Sequence, residues 1–204
     1  MICERTAVAL PVDFQTREAE DGKRYIEGYF AVFGAVYPLW DGAIETVDPG
    51  AFDLVADRDV RALTNHDTTL VLGRTTAGTL TLRVDDRGLW GSIEINERDQ
   101  DAVNLYERVR RRDVTQCSFG FDILEELREE RADGVTAWHL RKLKLWEVSV
   151  VTFPAYEATG VEARRAELDA VEKRKRKDWA AKMRAQLKGV KSNGTESSEN
   201  AAQP

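Results

Sequence analysis

The feature that most constrains this chain is a strict two-residue alternation of apolar and polar side chains on both sides of a turn. In Thr79–Val84 the apolar residues are leucine, leucine and valine at every second position, and the turn Asp85–Gly88 leads into Leu89–Ile95, where Leu89, Ile93 and Ile95 share one face. A period of two places all apolar side chains of a strand on the same side. The two arms therefore predict a β-hairpin with one buried face.

Short strand-like segments recur through the first 153 residues, and only one long segment there has helical spacing. The helical segment is Arg98–Arg112, whose apolar residues recur every three or four positions. A very charged run, Glu125–Asp133, ends in Asp-Gly and predicts a solvated hairpin tip. A body made of many short strands and few helices favours a mainly β (α+β) domain, either a barrel or a sandwich. The other predicted strands are Ala7–Phe14, Arg24–Phe33, Val60–Thr64, Leu70–Arg74, Thr115–Leu124 and Trp138–Phe153.

Charge divides the chain near Val161. The chain has 204 residues and a formal net charge of −6, yet Arg164–Lys191 alone carries eleven Lys/Arg against four Asp/Glu. That balance of +7 leaves −13 for the remainder, so an acidic body precedes a basic segment. We therefore predict a folded domain over residues 1–161, a basic helical segment over 162–188 and a disordered tail over 189–204, since the tail has almost no apolar content.

Several function classes are not supported by the sequence. The two cysteines, Cys3 and Cys117, are far apart in unrelated contexts, which predicts neither a disulfide framework nor a metal motif and favours a reducing compartment. No Gly-rich phosphate loop and no metal-ligand spacing are found, so we expect no cofactor and no metal. No run approaches the roughly 18 apolar residues of a membrane-spanning helix, so we expect no membrane partner.

Three polar residues in or beside apolar segments are of the types used in nucleophilic catalysis. His66 follows the run Val60–Thr64, Ser118 stands between Cys117 and Phe119, and Glu147 lies within a β-branched run. A hydroxyl, a histidine and an acid are the nucleophile, the general base and the orienting group of a serine hydrolase. Taken alone, each also fits an ordinary role: a loop histidine, a strand serine or an edge salt bridge.

Two of these roles have rival candidates. Cys117 is a second possible nucleophile, but neighbouring strand residues point to opposite faces, so only one of Cys117 and Ser118 can face His66. His139, the second of two histidines, is an alternative third member on the same stretch of chain as Glu147. Ser118 does not stand in a Gly-x-Ser-x-Gly elbow, so an α/β-hydrolase is not indicated.

Six sequence words occur in an order that resembles a known family. They are GYFAVFG, DPGAF, NHD with LGR, DDRGL, CSFGF and EVSVVTFPA, and together they cover about Tyr25 to Ala158. This order resembles the prohead proteases of tailed bacteriophages with HK97-like capsids. The family consists of serine endopeptidases whose fold is similar to that of the herpesvirus assembly proteases, a closed or partly open β-barrel flanked by a few helices.

The resemblance implies roles for individual residues and a substrate. The nucleophile falls on Ser118, the general base on His66 and the third member on Glu147, with His139 left open because herpesvirus enzymes use a second histidine. The implied substrate is the scaffolding segment of the major capsid protein, together with the protease itself, inside the immature prohead in the host cytoplasm. We expect Arg74 or backbone N–H groups as oxyanion donors. A homodimer is a possible partner arrangement, because dimerisation could complete the site and so activate the enzyme.

Two other functions remain as competitors. A non-enzymatic capsid assembly or scaffolding factor would act by binding alone, through the acidic body and the basic segment. Nucleic-acid binding through Arg164–Lys191 is weaker, because the acidic body opposes it and the segment lacks interleaved aromatic residues.

Overall fold

The structure is a computed structural model that describes residues 14–53, 55, 58–153, 169–171 and 173–184. The chain divides into two compact units, Met1–Val161 and Glu162–Pro204. In the first unit, α1 spans Gln100–Arg110 and a short 3-10 helix spans Thr75–Ala77. The strands are β1 Gln15–Glu18, β2 Arg24–Val32, β3 Val36–Trp40, β4 Ala43–Val47, β5 Arg61–Thr64, β6 Asp67–Arg74, β7 Leu80–Val84, β8 Gly88–Glu94, β9 Gln116–Glu130 and β10 Thr136–Val151.

A four-stranded antiparallel sheet contains the predicted hairpin. Its strand order is β1-β2-β8-β7. The β7–β8 register pairs Leu80 with Ile93 and Val84 with Leu89, which are members of the two alternating sets. Leu80, Leu89 and Ile93 are buried, so the period-two pattern correctly predicted this hairpin and most of its inner face, whereas Val84 at the end of β7 is exposed.

The second sheet is built around the long strand β10. Its order is β3-β4-β10-β5-β6, and β9 pairs with β10 along almost the whole length of both strands. The first half of β10 pairs in parallel with β4, and its second half pairs in parallel with β5. At Glu147–Val150, β10 therefore has β9 on one side and β5 on the other.

The mainly β class is confirmed, but the described strands do not form a closed barrel. Closure requires the two outer strands of a sheet to hydrogen-bond to each other. Within the described residues β1 and β7 end one sheet, while β3 and β6 end the path of the other. The herpesvirus-protease-like arrangement stays a prediction.

Helix α1 covers the centre of the predicted helical segment. It starts after Asp99, whose side chain accepts from the N–H groups of Asp101 and Ala102, and this cap explains why the helix begins at Gln100. Ala102, Leu105, Tyr106 and Val109 are buried in the core. That core also takes side chains from both sheets, which joins them into one packed body.

Two local predictions were wrong or incomplete. The charged run Glu125–Asp133 is not simply a hairpin tip, because β9 continues to Glu130 and the turn lies beyond it. Pairing with β10 holds these charged residues in a strand whose side chains are mostly exposed. The hairpin of β3 and β4 was missed, although Asp41-Gly42 between the strands is a two-residue turn signal.

In the second unit the structure describes only helical residues, 169–171 and 173–184. They belong to the predicted basic segment, and Trp179 exposes 66% of its surface. The predicted tail over 189–204 and most of the predicted strand Ala7–Phe14 lie outside the described residues. None of the described helices has the length and apolar character needed to cross a membrane.

Candidate active site

The centre of the candidate site is the second half of β10. There Ser149 pairs with Ser118 of β9, and Glu147 pairs with Gly120. Residues directly opposite each other in an antiparallel ladder project from the same face of the sheet. Ser118, Ser149 and Glu147 therefore share one face, although Ser118 is 29 positions before Glu147 in the sequence.

A bulge in β10 determines which face Glu147 occupies. Leu145 and Val148 both pack in the hydrophobic core, although an odd separation of three residues would place them on opposite faces of a regular strand. The register shift between Leu145 and Glu147 resolves this, because a bulge inserts one residue and reverses the alternation. Without it Glu147 would project into the core, where an unpaired carboxylate is costly.

His66 lies in a tight turn between β5 and β6. Thr64 pairs with Asp67, so Asn65 and His66 form a two-residue hairpin turn, with φ of 50° and 60°. Such turns require a left-handed conformation at both positions, which asparagine tolerates better than most residues. The Asn65 N–H donates to the Val150 carbonyl at 3.0 Å, and Asn65 Oδ1 accepts from the Thr152 N–H at 2.8 Å. The turn is thus anchored to β10.

This anchoring brings His66 against Glu147. His66 Nδ1 lies 2.7 Å from Glu147 Oε1, and the two side chains are 23% and 14% exposed. An ionised carboxylate only accepts hydrogen bonds, so it selects the imidazole tautomer with the proton on Nδ1. In that tautomer Nε2, which is buried, presents its lone pair and can accept a proton.

Ser149 supports the same pair. Its Oγ donates to Glu147 Oε2 at 2.6 Å and accepts from the His66 backbone N–H at 3.2 Å. The hydroxyl therefore joins the carboxylate to the backbone of the histidine. Because both its donor and its acceptor function are engaged, Ser149 is not placed to act as a nucleophile.

Ser118 is fully buried, and its Oγ has no hydrogen-bond partner among the described residues. A buried hydroxyl without a partner is costly and calls for an explanation, of which a catalytic role is one. Its bond to His66 is accordingly not formed in this state. Catalytic hydrogen bonds are often long in the absence of substrate and tighten when it binds, so this geometry remains compatible with a nucleophile and base.

Cys117 faces the opposite side of β9. Its Sγ contacts the Tyr29 carbonyl oxygen at 3.3 Å, and the side chain is fully buried. Burial raises the pKa of the Cys117 thiol to about 12, so the thiolate that acts as a nucleophile is disfavoured. The structure thus places Ser118 on the face with Glu147 and puts Cys117 in the core.

His139 is held in a separate cluster. Its Nδ1 lies 3.0 Å from Thr46 Oγ1, and its Nε2 lies 3.2 Å from Glu129 Oε2. Eight strand positions separate His139 from Glu147, which corresponds to roughly 25 Å along β10. The structure brings Glu147, not His139, to His66.

Arg74 is bound to Asp59. Its Nε and a terminal nitrogen lie 2.7 and 2.6 Å from the two carboxylate oxygens, and Arg74 is the main reason that the pKa of Asp59 is well below its usual range. Arg74 also ends β6, whereas His66 immediately precedes that strand. Through Arg61, its partner in β5, Arg74 lies in the same cross-strand row as Glu147, but its guanidinium is bound to Asp59 and not to a candidate catalytic residue. In the described part of the chain, no group of three or more His, Cys, Asp or Glu side chains is arranged to hold a metal.

Three residues of this site were not assigned roles from the sequence. Asn65 and Ser149 stand in the NHD and EVS words, but their bonds link positions more than 80 residues apart and left no local signal. The third residue is Gly120, the β9 partner of Glu147. A Cβ there would lie 2.6 Å from Glu147 Oε1, so the absent side chain leaves room for the carboxylate.

Comparisons with known proteins were made on both sequence and structure. A search of curated protein sequences found no match. The solved structure of the capsid assembly protease of bacteriophage T4 is similar, with a TM-score of 0.40 and 13% identity, over 74% of this chain and 95% of that one. The sequence model of the caudovirus prohead serine protease matches residues 11–174. Because that match spans most of the chain, the protein belongs to the caudovirus prohead serine protease family.

Proposed function

We propose that the chain is a serine endopeptidase in which Ser118 is the nucleophile, His66 the general base and Glu147 the orienting acid. The observation that carries this proposal is the 2.7 Å contact of His66 Nδ1 with a carboxylate that shares a sheet face with Ser118. This arrangement has the order of roles found in serine proteases: hydroxyl, imidazole, carboxylate. Membership of a serine protease family agrees with it.

The reaction is an acyl transfer in two stages. Ser118 Oγ attacks the peptide carbonyl carbon while His66 Nε2 takes the hydroxyl proton, and the same proton passes to the leaving amine as the peptide bond breaks. A water molecule then attacks the acyl-enzyme, His66 accepts its proton, and that proton returns to Ser118 as the acid product leaves. Glu147 holds the tautomer and stabilises the imidazolium in both stages.

Backbone N–H groups near Ser118 are the oxyanion donors that we propose. A donor must be aimed in advance at the position where negative charge develops. Arg74 does not meet this condition, because its guanidinium is held on Asp59. Backbone donors would also suit the apolar surroundings of Ser118, where Cys117 and Phe119 are both fully buried.

The proposed substrates are the scaffolding segment of the phage major capsid protein and the chain itself. Family membership supports a role within the immature prohead, and we place the enzyme there, in the host cytoplasm. Ser118 is fully buried, so peptide entry requires groups that cover this face to move. The need for this opening step would keep the protease inactive before assembly. Formation of a homodimer is one candidate trigger of the opening.

The test compares the purified wild-type chain with Ser118→Ala on a capsid protein that carries its scaffolding segment. We expect wild type to release the segment and Ser118→Ala to retain only a trace of activity, whereas Ser92→Ala, a matched change on β8, cleaves normally. Glu147→Gln should lose most activity and His139→Gln should keep it. If wild type and Ser118→Ala cleave equally, the proposal is wrong. Binding without cleavage by both would favour the non-enzymatic assembly factor.

A further inference from the structure

We propose that Ser149 is a positioning residue that aligns His66 and Glu147 for the reaction. The inference deepens the proposed function and rests on it. The Ser149 hydroxyl donates its proton to Glu147 and not to His66 Nε2, the atom that takes the proton in the proposed reaction. The same hydroxyl hydrogen-bonds to two other groups of the His66–Glu147 pair: the Glu147 oxygen that does not face His66, and the backbone N–H of His66.

The first bond fixes the carboxylate. Glu147 has two oxygens, and His66 Nδ1 occupies Oε1 at 2.7 Å. The Ser149 hydroxyl donates to Oε2 at 2.6 Å, a short distance typical of a charge-assisted O–H···O⁻ bond. With both oxygens bound, rotation of the carboxylate about its terminal torsion would break two hydrogen bonds. Oε1 therefore stays aimed at the imidazole.

The second bond fixes the histidine backbone. His66 has φ of 60°, in the left-handed region that a residue with a Cβ occupies only under strain. The Ser149 Oγ accepts from the His66 N–H at 3.2 Å and so ties this strained residue to β10. Because the backbone sets the direction of the Cα–Cβ bond, holding it also sets where the imidazole points.

The location of Ser149 makes this coupling direct. It stands two residues after Glu147, on the same face, and is the cross-strand partner of Ser118. Ser149 is fully buried, so water cannot replace its hydroxyl without a rearrangement. Loss of the hydroxyl would release the carboxylate and the histidine backbone together.

A merely structural serine would affect stability without affecting the imidazole. Ser92 provides that comparison, since it is also buried in a strand and its Oγ donates to Glu27 Oε1 at 2.8 Å, in the other sheet. If Ser149 positions the site, Ser149→Ala should change the state of His66 and the turnover number. Ser92→Ala should change neither.

The first readout is the tautomer of His66, followed by long-range ¹⁵N–¹H NMR at a pH above the histidine titrations. The chain has two histidines, so His139 serves as an internal control. We expect wild-type His66 to hold its proton on Nδ1, and Ser149→Ala to show a mixture of both tautomers with His139 unchanged. A wild-type His66 protonated on Nε2 would overturn the proposal even if the variant did not fold.

The second readout is the division of the kinetic effect. We expect Ser149→Ala to lower kcat by about 100-fold, the scale of a misplacement of about 1 Å, with KM within about threefold of wild type. Unchanged kcat, or a lost kcat with an unchanged His66 tautomer, would refute the positioning role. Failure of the serine protease assignment is recognised separately, because it would leave Ser118→Ala as active as wild type.

Discussion

Gly120→Ala is a one-carbon change that should disable the candidate site without replacing any of its three proposed catalytic residues. Gly120 is the β9 partner of Glu147. A Cβ built at this position would lie 2.6 Å from Glu147 Oε1, 3.2 Å from its Cγ and 3.3 Å from its Cδ. Ordinary contacts of this kind are about 3.4 Å or longer, so the carboxylate has to retreat by close to 1 Å.

The size of the effect follows from the bond that this retreat disturbs. His66 Nδ1 and Glu147 Oε1 are 2.7 Å apart, and a displacement of that size carries them towards the limit of hydrogen bonding. A misplacement of about 1 Å costs about 100-fold in rate, or about 2.7 kcal/mol of transition-state stabilisation. The free energy of unfolding should fall by about 1–3 kcal/mol, because the displaced carboxylate is held by hydrogen bonds to His66 and Ser149 that weaken when it moves.

The assay combines rates of scaffold cleavage with urea unfolding. Gly28→Ala is the matched control, since its added Cβ also meets a side chain, Phe14, at 2.7 Å, but in the other sheet. A double-mutant cycle adds Gly120→Ala to Glu147→Ala. If the glycine acts through the carboxylate, it should cost nothing further once that carboxylate is absent. Near wild-type activity in Gly120→Ala, or a full additional loss in the double variant, would refute this reasoning.

Three further outcomes follow from the same geometry. Asn65→Ala should lower the melting temperature and the activity, because it loses the hydrogen bond to Thr152 and because alanine disfavours a φ of 50°. Asn65→Gly should recover the part of the stability that is lost to backbone strain, and equal melting temperatures for the two variants would contradict this. Cys117, whose pKa burial raises to about 12, should resist iodoacetamide in the folded protein as followed by peptide mass, and rapid labelling would show the core assignment to be wrong. Asp59, whose pKa is lowered chiefly by Arg74, contributes stability above its unfolded pKa of about 4. Asp59→Asn should therefore lower the melting temperature at pH 7, and the difference in melting temperature from wild type should shrink as the pH falls below about 4. A difference that stays constant with pH would rule out this linkage.

Local patterns were sufficient where structure depends on nearby residues. The hairpin of β7 and β8 follows from alternation on both arms of one turn, and α1 follows from helical spacing capped by Asp99. The same reasoning was misled by charge in Glu125–Asp133, where pairing with β10 outweighs the polar composition. Sheet order and the absence of a closed barrel among the described strands depend on the pairing of strands that are far apart in the sequence. A short stretch of sequence contains no information about that pairing.

The candidate site shows the same division. His66, Ser118 and Glu147 could be selected as residue types in suitable segments, but Glu147 and His139 could not be separated on that basis. The face of Glu147 depends on the bulge after Leu145, and the bulge depends on how β9 and β10 are registered. Ser149 gained a role only when folding brought its hydroxyl to the backbone of a histidine 83 positions earlier.

The most direct test of the central claim is covalent labelling by a fluorophosphonate, which reacts preferentially with an activated serine and needs no knowledge of the natural substrate. The modified residue is identified by peptide mass spectrometry. We predict a single adduct on Ser118 whose formation slows by at least about 100-fold in His66→Ala, with Ser149 unmodified. An adduct on another residue, or equal labelling of Ser118 in wild type and His66→Ala, would contradict the account.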